Sequence, residues 1–153
     1  MLFVIVLLFN LIIFPISYRV SPELTLHDVQ IFYTPEKAYD ILEKFSEIEK
    51  KNYLLAELTV DLIYPIAYSF LLCFIIFLVY KNESLAKFPF LILTFDYIEN
   101  FGIATLIYNY PEKLIILAWI TAISTSIKWL LVGISVIIIL YGLGAKKHFF
   151  RKK

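Results

Sequence analysis

Three polar residues lie in the middle of a long apolar stretch, at a spacing that places them on one side of a helix. The stretch covers residues 88–108 (FPFLILTFDYIENFGIATLIY) and contains Asp96, Glu99 and Asn100. Residues three or four apart point the same way on a helix. Carboxyl groups bind protons and serve as general acids and bases, and both carboxyl and amide oxygens bind cations. Because an ionised group at the bilayer centre costs about 2.5–3.5 kcal/mol on insertion scales, we expect these residues to have partners or a task.

Two further apolar stretches carry polar side chains at helical spacing. In residues 53–80 an acidic and tyrosine stripe recurs every three or four positions, and in residues 113–143 a lysine shares one face with several hydroxyls. The hydroxyls on the face of this lysine belong to Thr121, Ser124, Thr125 and Ser135. The candidate ligand- or ion-binding residues of the three stretches are Asp61, Asp96, Glu99, Asn100, Lys128, Tyr64, Tyr68 and Glu57.

The charges of these candidates do not balance. Glu57, Asp61, Asp96 and Glu99 face one base, Lys128, which gives a formal charge of −3 when all are ionised. An interior of low dielectric constant cannot hold that charge, so some carboxyls are protonated, a cation is bound, or the cavity is hydrated. A divalent cation on Asp61, Asp96 and Glu99 is the candidate cofactor, because hard cations prefer oxygen ligands.

A structural interpretation stands beside the functional one. Hydrogen bonds between helices and one buried acid–lysine pair also hold membrane bundles together. We assign single hydroxyls such as Thr125 to that role, and Glu57 alternatively lies at the membrane interface. The acids together with Lys128 favour function, because this many acids strain a bundle rather than stabilise it.

The composition indicates a membrane protein. The chain has 153 residues and is 61% hydrophobic, whereas a soluble domain is about 45–50% apolar. Cys73 is its single cysteine, so a disulfide within the chain is excluded, and neither His27 nor His148 lies in an apolar stretch. The net charge of +1 gives no reason to expect a nucleic acid. The common signatures of nucleotide-binding and hydrolytic enzymes are absent.

We predict an all-α fold, a polytopic membrane four-helix bundle that forms a single transmembrane domain. Its spans are about 1–18, 53–80, 88–108 and 113–143, since about 20 apolar residues cross a bilayer. Residues 1–18 could instead be a signal peptide, but they lack a basic start and a small-residue cleavage site, which favours an uncleaved helix. Pro65 should free the carbonyl of Asp61 and kink the second span.

Residues 19–52 are the hydrophilic part of the chain, and they predict an amphipathic helical section between the first and second spans. Ser21-Pro22-Glu23 and Thr34-Pro35-Glu36 both look like helix starts. After Thr34, one face is apolar and the other charged. The apolar face consists of Ala38, Ile41, Leu42, Phe45 and Ile48, and the charged face of Lys37, Asp40, Glu43, Lys44, Glu47 and Lys51. We favour a cap packed on the bundle over a helix lying on the membrane, with residues 35–50 as a possible contact for a partner.

The distribution of lysine and arginine predicts the orientation. With four spans both termini lie on one side, together with the link at residues 81–87. That side collects the basic residues Lys81, Lys87, Lys146, Lys147, Arg151, Lys152 and Lys153. The positive-inside rule then makes the termini cytoplasmic and places residues 19–52 outside. The partner that the sequence implies is the lipid bilayer, and a homodimer is reasonable for so small a bundle.

Two stretches carry a recurring pattern. Residues 46–69 (SEIEKKNYLLAELTVDLIYPIAYS) contain Asp-x-x-x-Pro-x-x-Tyr, and residues 94–100 (TFDYIEN) contain Asp-x-x-Glu-Asn, with a lysine later in the chain. In this pattern the chain resembles uncharacterised prokaryotic four-span integral membrane proteins. The resemblance implies that one set of residues acts together, and it assigns no reaction. The set consists of Asp61, Pro65, Asp96, Glu99, Asn100 and Lys128.

Three functions fit these observations. The first is movement of protons, cations or a small solute past the acidic cluster. The second is an intramembrane enzyme for a lipid-like substrate, in which Asp96 and Glu99 act as acid and base or as cation ligands and Lys128 binds an anionic group. The third is a structural or assembly protein that contacts a partner through residues 19–52.

Overall fold

The structure, a computed structural model, describes residues 2–8, 11 and 31–150. All regular elements in this part of the chain are α-helices. They are α1 (Leu2–Leu8), α2 (Pro35–Lys44), α3 (Glu47–Glu57), α4 (Val60–Tyr80), α5 (Glu83–Ala86), α6 (Phe90–Asn109) and α7 (Ile115–Phe150). Most of the predicted first span, the helix start at Ser21-Pro22-Glu23 and the end of the basic tail lie outside the described residues.

The predicted all-α fold is confirmed for the described residues, and three helical stretches there are long and apolar enough to cross a membrane. They are Glu47–Tyr80, Glu83–Asn109 and Ile115–Ala145, which contain the predicted second and third spans and all but the first two residues of the predicted fourth. A helix of about 20 residues is about 30 Å long, the thickness of the hydrocarbon core. Of the predicted first span, the structure describes α1 and residue 11, which is too short to test a fourth crossing.

Helices α6 and α7 form the closest seam of the bundle. A Cβ atom added at Gly102 of α6 would lie 2.1 Å from the Thr121 hydroxyl of α7, and Ala118 and Ala122 beside it are fully buried. Small residues let the backbones of membrane helices approach closely. Near the other end of α7, the Tyr80 hydroxyl donates to the Ile138 carbonyl at 2.7 Å. The two contacts fix the position of α7 along its neighbours.

The predicted second span is not one continuous helix, which corrects the sequence-based prediction of a single kinked helix over residues 53–80. Helix α3 ends at Glu57 and α4 begins at Val60, with Thr59 at φ −129° and ψ −76°, outside the helical region. The Thr59 hydroxyl donates to the Leu55 carbonyl at 2.6 Å, and such local bonds compete with the helical pattern. Pro65 lies inside α4, in its second turn.

The section before the second span also differs from its prediction. Instead of one helix there are two, because Phe45 has an extended backbone and Ser46 starts α3 with a capping box. The Thr34 side chain caps α2, as its N-cap position predicts, by accepting the Lys37 N–H at 3.4 Å. Ile48, predicted on the buried face, is 73% exposed, because the break after α2 ends the periodicity from which its position was inferred.

Helices α2 and α3 pack at the end of the bundle where α6 passes into α7. Their buried side chains meet those of α6 and α7 in one apolar cluster. The cluster consists of Tyr39, Ile41, Leu42, Phe45, Tyr53, Ile103, Leu106, Ile107 and Ala118. The Leu114 N–H donates to the Tyr39 hydroxyl at 2.6 Å, and burial raises the pKa of that hydroxyl. We call α2, α3 and residues 31–34 the cap, and the opposite end of the bundle carries the link at residues 81–89.

Candidate functional site

Lys128 of α7 and Glu99 of α6 form a buried ion pair at the seam. The Lys128 ammonium contacts Glu99 Oε2 and lies 3.9 Å from Asp96 Oδ1. Thr125, one turn before Lys128, donates its hydroxyl to Glu99 Oε1 at 2.7 Å. The Glu99 side chain is fully buried. Because α6 and α7 approach closely at Gly102, these side chains meet between the helices, as their helical spacing predicts for the acids.

Asp96 connects this pair to the second apolar helix. The Tyr68 hydroxyl of α4 donates to Asp96 Oδ2, while Asp96 Oδ1 faces the lysine. The ring of Tyr64, one turn earlier, lies 5.2 Å from that of Tyr68. One carboxylate therefore joins α4, α6 and α7. The structure brings together Tyr68, Asp96, Glu99 and Lys128, four of the residues that the sequence singled out.

Two side chains of α6 bind main-chain carbonyls in the first turns of α4. Asn100 Nδ2 donates to the Asp61 carbonyl at 2.5 Å, and the Tyr97 hydroxyl donates to the Leu62 carbonyl at 2.9 Å. Proline has no N–H, so Pro65 leaves the Asp61 carbonyl without its helical donor. Asn100 supplies the missing donor, and the pair of bonds fixes the start of α4 beside the charged residues.

The carboxylate of Asp61 differs from the other acids. It is half-buried, and it makes no hydrogen bond or ion pair in the part of the chain that the structure describes. It lies within electrostatic range of Asp96, Lys128 and Glu99. We call Asp61, Asp96, Glu99 and Lys128 the charge cluster. Its three acids and one base carry a formal charge of −2.

Glu57 occupies a different environment from the one its spacing predicted. It is fully buried in the last turn of α3, and a position at the membrane interface stays a prediction. The helix break at residues 58–59 separates Glu57 from Asp61, and the spacing of one continuous helix no longer places both in a single stripe. We therefore leave Glu57 out of the charge cluster.

Two residues of the site were not singled out for function by sequence reasoning. The sequence favours a structural role for Thr125, yet its hydroxyl donates to the Glu99 carboxylate. No sequence pattern marks Tyr97, whose hydroxyl donates to the Leu62 carbonyl. The proline offered a partial signal, because a freed carbonyl inside an apolar helix needs a donor. Which neighbour supplies that donor depends on packing that one sequence does not contain.

The side chains of the site are of types that can take up protons and bind cations. Hydroxyl, carboxyl and ammonium groups follow one another from Tyr68 through Asp96, Lys128 and Glu99 to Thr125. Residues 2–8, 11 and 31–150 contain no group of three or more acidic, histidine or cysteine side chains placed to hold a metal ion. The divalent cation therefore stays a prediction.

Comparison of the chain with protein-family models, curated proteins and solved structures finds no match. The resemblance to prokaryotic four-span proteins thus stays a prediction.

Proposed function

We propose that the chain is an integral membrane protein that moves protons or small cations across the bilayer, with the charge cluster as the point of binding and release. The observation that carries the proposal is the surplus of acids over bases between helices apolar enough to span a membrane. One lysine can neutralise one of the three carboxylates. The other two need a proton or a cation, and a site that needs one is suited to take it up.

The helix break beside the cluster supports transport over a purely structural role. Transporters commonly form their sites from discontinuous helices whose freed backbone groups face the site. Here α3 and α4 are interrupted at residues 58–59, and Pro65 frees a further carbonyl that Asn100 binds. The start of α4 is thus held by side-chain bonds as well as by its own helical pattern, and such bonds can exchange during a transport cycle.

The full architecture that we propose has four spans. Residues 1–18 form the first, the two termini lie on the cytoplasmic side, and residues 19–52 lie outside. The basic residues of the 81–87 link and of the C-terminal tail support this orientation. A homodimer would enlarge a bundle that is small for a transport path.

The intramembrane enzyme and the assembly protein are the alternatives. A groove of about 600 Å³ lies along α6, lined by Leu93, Thr94, Tyr97, Ile98, Phe101, Gly102, Thr105 and Leu117. None of the four charged residues of the cluster lines this groove, so it does not favour lipid chemistry at the cluster. An assembly protein would keep its function when Asp61, Asp96 and Glu99 are neutralised together, and would lose it when residues 35–50 are deleted.

Reconstitution into liposomes tests the proposal. A pH-sensitive dye inside the vesicles reports proton flux under an imposed gradient, and ion-selective dyes report sodium and potassium. We expect the wild-type protein to carry a flux and Glu99→Gln to lose it, because Gln cannot release a proton. The matched control is Glu112→Gln, which neutralises an exposed acid in the turn between α6 and α7 and should keep the flux. Wild-type vesicles that pass neither protons nor cations would contradict transport.

A further inference from the structure

The helix break lies nearer to one end of the bundle than to the other. Asn100 holds the Asp61 carbonyl at 2.5 Å, so Asp61 lies at the level of Asn100. Nine residues separate Asn100 from the end of α6 at Asn109, which is about 14 Å along the helix. Nineteen residues separate Asp61 from the end of α4 at Tyr80, which is about 29 Å. The shorter distance leads to the end that carries the cap and the 110–114 turn.

Asp61 is the least covered member of the charge cluster. Asp96, Glu99 and Lys128 are 5%, 0% and 8% exposed, whereas Asp61 is half-buried. An ionised carboxylate that faces hydrocarbon at this depth is costly, and such groups turn instead to a bundle interior or to a water-filled cavity. The uncovered side of Asp61 thus indicates where water meets the cluster.

The backbone around residue 59 points to the same place. Leu58 and Thr59 are both exposed, and Thr59 leaves the helical region. At membrane depth, non-helical backbone is tolerated where protein buries it or where it lines a water-filled cavity. Thr59, with this non-helical backbone, lies two residues before Asp61, on the route to the nearer end.

We propose that water enters from the end carrying the 110–114 turn, passes the break at residues 58–59 and ends at Asp61, which exchanges the transported proton or cation with Asp96. The charged groups facing Asp61 from the neighbouring helices are Asp96 and Glu99 of α6 and Lys128 of α7. The titratable Tyr64 lies on its own helix, one turn further along. The route concerns access alone, whereas the exchange at Asp61 rests on the proposed transport function.

Thiol labelling in vesicles tests the route without any assay of transport. In a Cys73→Ser background, Asp61→Cys and Thr59→Cys are probed with a charged, membrane-impermeant maleimide. Glu112→Cys marks the end with the 110–114 turn, and Glu83→Cys marks the opposite end. We expect Asp61→Cys and Thr59→Cys to react from the side that labels Glu112→Cys. Glu99→Cys should stay unlabelled from both sides, because Glu99 is fully buried.

Two labelling results would overturn the route: reaction of these thiols from the Glu83 side, or no reaction from either side. Thr59→Cys keeps the charge cluster intact, so the test stands even when Asp61→Cys does not fold.

Flux measurements test the exchange step separately. We expect Asp61→Asn to lower the flux to the level of empty vesicles and Asp61→Glu to restore it, because only the second variant keeps an exchangeable proton. Wild-type flux in Asp61→Asn would overturn the role of Asp61 and leave transport standing. No flux in the wild type would overturn both the proposed transport function and the exchange step. The labelling would still test the water route.

Discussion

The cap and the charge cluster place charged side chains in opposite ways. In the cap, apart from the buried Glu57, the acids face outward, as in the pair of Lys50 with Glu47 at 3.0 Å, where the Glu47 side chain is 83% exposed and the Lys50 side chain 11%. In the charge cluster, Lys128 meets a fully buried Glu99. Water solvates the Glu47 carboxylate, so the first ion pair contributes little to the free energy of unfolding. The second pair has lost its water, so each charge depends on the groups beside it.

The comparison shows what the two regions do for the fold. The cap closes on an apolar cluster around Tyr39 and Tyr53, and α6 meets α7 through small residues at Gly102 and Ala118. Neither contact needs a buried charge. The charge cluster therefore adds a cost that the packing does not require, which is the physical reason to connect it with function.

The largest effect should come from removing the buried cation. Lys128→Met leaves Glu99 and Asp96 without their ammonium, and breaking a buried pair in this way costs about 3–5 kcal/mol. The matched change in the cap, Lys50→Met, removes an ion pair with Glu47 and a contact over the Tyr110 ring, together worth about 1 kcal/mol. The free energy of unfolding in detergent measures both. Equal losses would show that burial of the acid partner does not distinguish the two pairs.

A smaller effect should come from the hydroxyl that binds Glu99. Thr125→Val keeps the shape and removes a hydrogen bond to a charged acceptor, which is worth about 1.5–3 kcal/mol. Thr105→Val is the control, because the Thr105 hydroxyl bonds to the Phe101 carbonyl on an exposed part of α6, and its loss should change stability by about 0.5 kcal/mol or less. The same unfolding measurement applies. A Thr125→Val protein as stable as the control would mean that Glu99 does not depend on this bond.

The sequence was sufficient to predict the features that depend on local periodicity. It predicted the apolar helices, the capping of α2 by Thr34 and the common face of Asp96 and Glu99, because helical geometry alone decides them. It also identified the carbonyl that Pro65 frees, which depends only on the missing N–H.

Features that depend on tertiary contacts could not be predicted. The helix break at residues 58–59 contains no proline or glycine, so the sequence gives no signal for it. This break separates Glu57 from Asp61. Ile48 is exposed because the helix ends at Lys44. The amphipathic pattern continues past Lys44 in the sequence and therefore does not predict this end. The roles of Tyr97 and Thr125 depend on which residues α4 and α7 bring opposite α6.

The central claim is that the surplus acid is kept for transport and not for stability, and Asp96→Asn tests it most directly. The variant keeps the Lys128–Glu99 pair and an acceptor for the Tyr68 hydroxyl, and it removes one negative charge from the interior. Proton flux and the free energy of unfolding are measured on the same preparation. We predict a protein at least as stable as the wild type that has lost its flux. A variant that unfolds readily, or one that keeps the wild-type flux, would contradict the account.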